Sequence, residues 1–217
     1  MASEHIYKQF DSDLEAIRAK VLEMGTLVEE QTANAVKSLL NTDIKLAEAV
    51  MKRDVQINDL EMAIDEETSL LIAKRSPAAG DLRNIMMMLK IITDLERMGD
   101  EAAKIARSTT RIFEDNRMSK PRFTEIKGMA KAVQGMIKTA LNSFARLDLS
   151  DTIDILEKDK QVDDDYRSCM RQLLTFMLED PRTISMSLES MFIAKSLERI
   201  GDHAVNISQS VIYTVKG

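Results

Sequence analysis

Glu96 and Asp100 stand four residues apart, and so do Glu198 and Asp202, and Asp159 and Asp163. On a helix that spacing points both side chains of a pair the same way, one turn apart. Two like charges so placed destabilise a helix by roughly 0.2–0.5 kcal/mol. The chain carries the arrangement more than once. A bound cation reverses the sign of that cost, because two parallel carboxylates form half of a site for a hard, oxygen-preferring metal. The other half has to come from a neighbouring helix. Asp159 and Asp163 offer it to Glu198 and Asp202. Asp54-x-x-x-Asn58 offers it to Glu96 and Asp100, with an amide in place of one carboxylate. A site so rich in carboxylates has room for more than one ion.

Ion pairing is the competing account. Arg97 is placed to reach Asp100 at i+3, Lys104 to reach Asp100 at i+4, and Arg199 to reach Asp202 at i+3. Asn206 stands where Lys104 has its counterpart, so the ion-pair account is weaker in the second copy. His5 and His203 are the only histidines. His203 follows Asp202 directly, points about 100° away from it, and is expected to be exposed. The chain has no Glu-x-x-His, the pairing that di-iron bundles use. Met86-Met87-Met88 reads as core filling, and Cys169 as a small buried residue. No phosphate loop, nucleophile elbow or kinase signature occurs, so neither catalytic nor cofactor-binding residues are assigned.

The elements that must hold these carboxylates are helices. Seven Gly and three Pro in 217 residues leave too few turn formers for a many-stranded β fold. The sequence also repeats. Leu95-Glu96-Arg97-Met98-Gly99-Asp100 returns as Leu197-Glu198-Arg199-Ile200-Gly201-Asp202, 102 residues on. Ala102 and Ile105 answer to Ala204 and Ile207. Upstream, at a spacing of 105, Asp54-x-x-Ile57-Asn58-Asp59 answers to Asp159-x-x-Val162-Asp163-Asp164, and Met24, Val28 and Ala35 answer to Met129, Val133 and Ala140.

Each half reads as three helices. The pattern predicts them near 4–39, 43–74 and 80–114, then near 121–147, 151–179 and 182–214. Asn41-Thr42-Asp43 and Leu149-Ser150-Asp151 carry N-cap chemistry. Ser76-Pro77 and Asp180-Pro181 stop the preceding helices, because a residue before proline avoids the α region. The expected fold is all-α: two tandem three-helix bundles related by internal duplication, over residues 1–116 and 117–217, with the boundary at Asn116 to Pro121.

A helical wheel centred on Leu95 gathers Met88, Ile91, Met98, Ala102 and Ile105 into a core stripe. Lys90, Arg97, Glu101 and Lys104 fall on the opposite side, expected to be solvated. Glu96 and Asp100 lie at the stripe's border, about 100° and about 140° from its centre. Gly99 and Gly201 each cost their helix roughly 1 kcal/mol relative to Ala. Close helix approach explains them, and so does ligand access beside the carboxylates.

The net charge of −6 argues against nucleic acid as a partner. A single cysteine excludes an internal disulfide. The uncharged run Ala204 to Val215 is too short to span a bilayer, and Met1 to Phe10 has no apolar signal core. A cytoplasmic protein is expected.

Leu95 to Ala102 and Leu197 to Ala204 resemble the doubled signature of the PhoU family, the phosphate-transport accessory proteins. Ser76-Pro77-Ala78-Ala79-Gly80-Asp81-Leu82-Arg83 resembles the family's approach to its third helix. The second copy has only Pro181-Arg182-Thr183-Ile184 there, which leaves the start of the sixth helix open. The resemblance covers nearly the whole chain. It implies two three-helix bundles and multinuclear metal clusters, iron first, with zinc, manganese or magnesium as other candidates. Carried over, it places Glu96 and Asp100 with Asp54 in one cluster, and Glu198 and Asp202 with Asp159 and Asp163 in the other. Asn58 departs from the acidic pattern. The resemblance further implies a regulator that restrains the phosphate-starvation response. Its partners would be the ATPase subunit of a phosphate ABC transporter and a sensor histidine kinase. A homodimer is expected, meeting the membrane only through its partners. Two other functions use the same residues: metal storage or metal-dependent hydrolysis, and a metal-free helical scaffold whose motifs are only ion pairs.

Overall fold

The computed structural model describes residues 2–114, 124–150 and 152–216, the side chains of residues 2–8, 114 and 152 excepted. Its elements are α1 (Ala2–Asn41), α2 (Ile44–Arg75), α3 (Ala79–Glu114), α4 (Thr124–Arg146), α5 (Thr152–Glu179) and α6 (Ile184–Lys216), with a 3-10 turn at Pro181–Thr183. No strand occurs among the described residues. The expected boundary at Asn116 to Pro121 and the first residues of the fourth expected helix lie outside the described residues.

The punctuation works as the sequence chemistry requires. The Asp43 carboxylate accepts from the Leu46 amide at 3.0 Å and caps α2. Ser76 closes α2 in the left-handed conformation, its N–H donating to the Ile72 carbonyl. Asp180 accepts from the Arg182 amide and Pro181 sits inside the first turn, so α6 enters through a 3-10 turn and begins at Ile184.

α1, α2 and α3 pack together as one three-helix unit, and α4, α5 and α6 as the other. The two units are joined along α3 and α6, the most extensive helix pair in the molecule, and along α1 and α4. One apolar core therefore runs through all six helices. The stripe Met88, Ile91, Leu95, Met98, Ala102 and Ile105 is buried throughout.

α1 and α4 meet closely. A Cβ on Gly25 would overlap the Leu141 side chain. Arg18 reaches across from α1, and its Nη2 donates to the Phe144 and Ala145 carbonyls at 3.2 and 2.7 Å. These are orphan acceptors in the last turn of α4. The same guanidinium lies 5.7 Å from the centre of the Phe144 ring.

Three expectations about exposure need correction. Glu101 is buried, not solvated: only 2% of it is exposed. Its carboxylate accepts from Ser196 Oγ at 2.8 Å and pairs with Arg199 at 2.7 Å and Lys104 at 3.0 Å. His203 is half-buried, with Nδ1 2.9 Å from the Asp94 carboxylate. The reason is common to both. α3 and α6 are central helices with two packed faces, and a wheel with a single stripe assigns the second face to water. The third is Met86, which is exposed, while Met87 and Met88 fill the core as expected. Cys169 is buried, and burial, with Glu125 nearby, pushes its thiol up to about 11, which leaves it unreactive.

Candidate metal centre

α2 lies against α3, and α5 against α6, so each carboxylate pair faces a helix that carries more carboxylates. In the first unit Asp54, Glu96 and Asp100 are half-buried. Burial is the main force raising the pKa of Asp54 and Glu96, and Asp100 raises both further. Glu61 belongs to the same group: burial raises its pKa, and Asp100 adds to the rise. In the second unit Asp159, Asp163 and Glu198 are half-buried and Asp202 more exposed. Burial raises Asp159 and Asp202, followed by Asp163 and Glu198 for the one and by Glu198 and Asp159 for the other. Each unit thus gathers four carboxylates, Asp54, Glu61, Glu96 and Asp100 in one, and Asp159, Asp163, Glu198 and Asp202 in the other.

Glu61 was not among the residues the sequence pointed to. Asn58, the expected amide donor, is exposed, and Glu61, one turn further along α2, supplies the carboxylate instead. The heptad spacing from Asp54 to Glu61 was the available signal. The repeat conceals it, because Tyr166 occupies the corresponding position in the second unit.

Few cations offset these charges. Arg97 lies 3.4 Å from Glu96 and 3.8 Å from Asp100. Arg167 lies 3.8 Å from Asp163, and Lys195 pairs with Glu198. The other expected pairs do not form. Lys104 pairs with Glu101 and not with Asp100, and Arg199 pairs with Glu101 and not with Asp202. Surface ion pairing therefore explains only part of the arrangement. An all-oxygen donor set whose members repel one another suits a hard cation. Among the described residues no three carboxylates, histidines or cysteines converge closely enough to hold an ion as they stand.

The two motif glycines sit differently. A Cβ on Gly99 would meet Ile57 Cδ1 at 2.9 Å and Asp54 Oδ1 at 3.3 Å. Close approach thus seats α2, with its Asp54, against α3. Gln31 braces the spot, its Nε2 donating to Asp54 at 3.0 Å and to the Gly99 carbonyl at 3.3 Å. A Cβ on Gly201 would meet only the flexible Met136 side chain at 3.5 Å and Val133 at 3.8 Å. Gly201→Ala should therefore stabilise the protein by roughly 0.5–1 kcal/mol through helix propensity. Gly99→Ala should destabilise it, because Ile57 and Asp54 must both move. Chemical denaturation of the two variants tests the contrast, and equal shifts would refute it.

A family model described as "PhoU domain" matches residues 21–109 and again residues 126–211. The chain belongs to the PhoU family. It is 44% identical over 216 residues to the "Phosphate-specific transport system accessory protein PhoU homolog" of Pseudomonas aeruginosa, covering 99% of this chain and 88% of that one. It is 40% identical over 215 residues to the PhoU accessory protein of Escherichia coli K12, with 99% and 88% covered. Among solved structures, PhoU from Pseudomonas aeruginosa superposes with a TM-score of 0.92 at 44% identity, over 96% of this chain and 99% of that chain. The regulatory protein PhoU of the phosphate transport system from Streptococcus pneumoniae gives 0.86 at 28% identity, over 94% and 96%. The family resemblance and the all-α, twice-repeated fold expected from the sequence therefore both hold. No helix among the described residues is long and apolar enough to cross a membrane.

The raised carboxylates set a direction for pH dependence. A group whose folded pKa lies above its unfolded value contributes stability that is fully present below the unfolded value and lost as pH rises through the folded one. Asp54, Glu61, Glu96, Asp159 and Asp202 all act this way. Asp148 and Asp180 are shifted down, by their bonds to Ser150 and to Arg182 respectively, and lose their contribution only below the ordinary carboxylate range. The metal-free protein should thus melt higher at about pH 5 than at about pH 7.5. A calorimetric series in chelator-treated buffer checks this. A melting temperature that falls over the same acidification would contradict it.

Proposed function

We propose that this PhoU-family protein is a cytoplasmic regulator that restrains the phosphate-starvation response when phosphate is plentiful. It works as an adaptor and not as a catalyst, between the ATPase subunit of a phosphate transporter and a sensor histidine kinase. The observation that carries the reading is the full-length likeness to phosphate-specific transport accessory proteins, with the duplicated carboxylate groups on its two units. Long helices with exposed faces suit docking, and the site offers no nucleophile paired with a base.

In this reading Asp54, Glu61, Glu96 and Asp100 hold metal in the first unit, and Asp159, Asp163, Glu198 and Asp202 in the second, with iron as the leading candidate and zinc, manganese or magnesium as rivals. The metal would neutralise the clustered charge and tie α2 to α3 and α5 to α6. Deleting the gene and following a phosphate-regulated reporter at high phosphate tests the regulatory role. Derepression is expected, reversed by the intact gene on a plasmid. A reporter that stays repressed would sink the proposal.

A further inference from the structure

α3 and α6 cross in antiparallel fashion, since Asp94 meets His203 while Glu101 meets Ser196. At the repeat spacing of 102, Asp94 corresponds to Ser196 and Glu101 to His203. The two contacts are therefore the same contact made twice about a pseudo-twofold axis. Two clefts follow from it, one on each side. One, of about 620 Å³, is lined by Met86, Lys90, Thr93, Asn206, Gln209 and Tyr213 among others. Its twin, of about 310 Å³, is lined by Lys104, Arg107, Arg111, Phe192, Lys195 and Arg199 with Ser108, Ser196 and Glu101.

The twins occupy matching positions but have diverged in charge. Lys104, Arg107, Arg111 and Lys195 stand where the other cleft has Asn206, Gln209, Tyr213 and Thr93. A chain of net charge −6 has thus placed five cations around one small cleft. Their internal partners do not exhaust them. Buried Glu101 takes Lys104 and Arg199, Glu189 lies 3.4 Å from Arg111, and Lys195 pairs with Glu198. The Arg107 guanidinium has no ion pair or side-chain hydrogen bond among the described residues and acts on Asp54 at longer range. All five cationic residues remain exposed.

We propose that this cleft binds a short linear oligophosphate, an anion of two or more phosphoryl groups. Lys104, Arg107 and Arg111 lie on one face of α3 over about 10 Å, and Lys195 and Arg199 line the opposite wall. This ladder of donors matches a chain of charged groups better than a single compact ion. Arg forks pair phosphate oxygens two at a time. The cleft's volume is at the small end for ligand sites. The carboxylate groups on either side, with the net negative charge, disfavour a long polyanion such as nucleic acid. The cleft adjoins the carboxylate groups, through Lys195 beside Glu198 and Arg107 facing Asp54 at longer range, but does not depend on their holding metal.

Isothermal titration of the purified protein with tripolyphosphate, pyrophosphate and orthophosphate tests the proposal. Saturable binding is expected, tightest for tripolyphosphate and weakest for orthophosphate. The double variant Arg107→Gln, Lys195→Thr, which takes the residues of the twin cleft, should weaken it about tenfold or more. Lys90→Gln in the twin should leave it unchanged. Both cleft positions are exposed, and circular dichroism confirms that the variants fold. Absence of saturable binding, retention of it in the double variant, or an equal loss in Lys90→Gln would overturn the site. Equal affinity for orthophosphate would overturn the chain-length preference.

Discussion

Loading the metal-free protein with iron or another hard cation should raise its melting temperature by roughly 5–10 °C. A ligand at a hundred times its dissociation constant stabilises the folded state by about 2.7 kcal/mol, and about 2–4 °C per kcal/mol applies to a chain of this size. The rise should vanish in the variant Glu96→Ala, Asp100→Ala, Glu198→Ala, Asp202→Ala. In the metal-free state the order inverts. The variant has lost two pairs of like charges that burial and mutual repulsion disfavour, so it should melt no lower than the parent. Scanning calorimetry of both proteins with and without metal decides the matter. A metal-independent loss of stability in the variant would return the motifs to ordinary packing and ion pairing.

The second large effect concerns the joint between the two units. Phe144 is the largest fully buried side chain among the described residues, and it packs in the shared core beneath Arg18. Phe144→Ala should cost about 3–5 kcal/mol, the range for deleting a buried aromatic ring. Against a typical total of about 5–15 kcal/mol, that is about a fifth of the stability or more. Urea denaturation gives the number. A single transition shifted as a whole is expected, because one core runs through both units. Unfolding of one unit alone, with the other unchanged, would show that the units are independent.

How much of this was legible in the sequence depends on what the periodicity encodes. The helix breaks could be read because each carries its own chemistry: the Asp43 cap, Ser76 before Pro77, Asp180 before Pro181. The core stripe of α3 could be read because Leu95 and its neighbours recur at helical spacing. That α2 lies against α3 could not be deduced from the carboxylates; it was the condition for their pairs to face one another, and the packing meets it. What could not be read was the second packed face of α3 and α6. Glu101 and His203 look solvated on a wheel, and only the long-range pairs Glu101–Ser196 and Asp94–His203, about a hundred residues apart in the chain, bury them. Glu61 was hidden by the repeat itself, since the second copy carries Tyr166 at that place. The resemblance to the PhoU family supplied the regulatory setting, which no local spacing encodes.

The most direct test of the central claim is elemental analysis of protein purified without chelator or metal-affinity resin, beside the quadruple alanine variant. On the order of two or more metal ions per chain is expected in the parent, at least one for each carboxylate group, with little or none in the variant. Equal metal content in the two proteins, or none in the parent after resupply with iron, zinc and manganese, would contradict the assignment of these carboxylates as ligands.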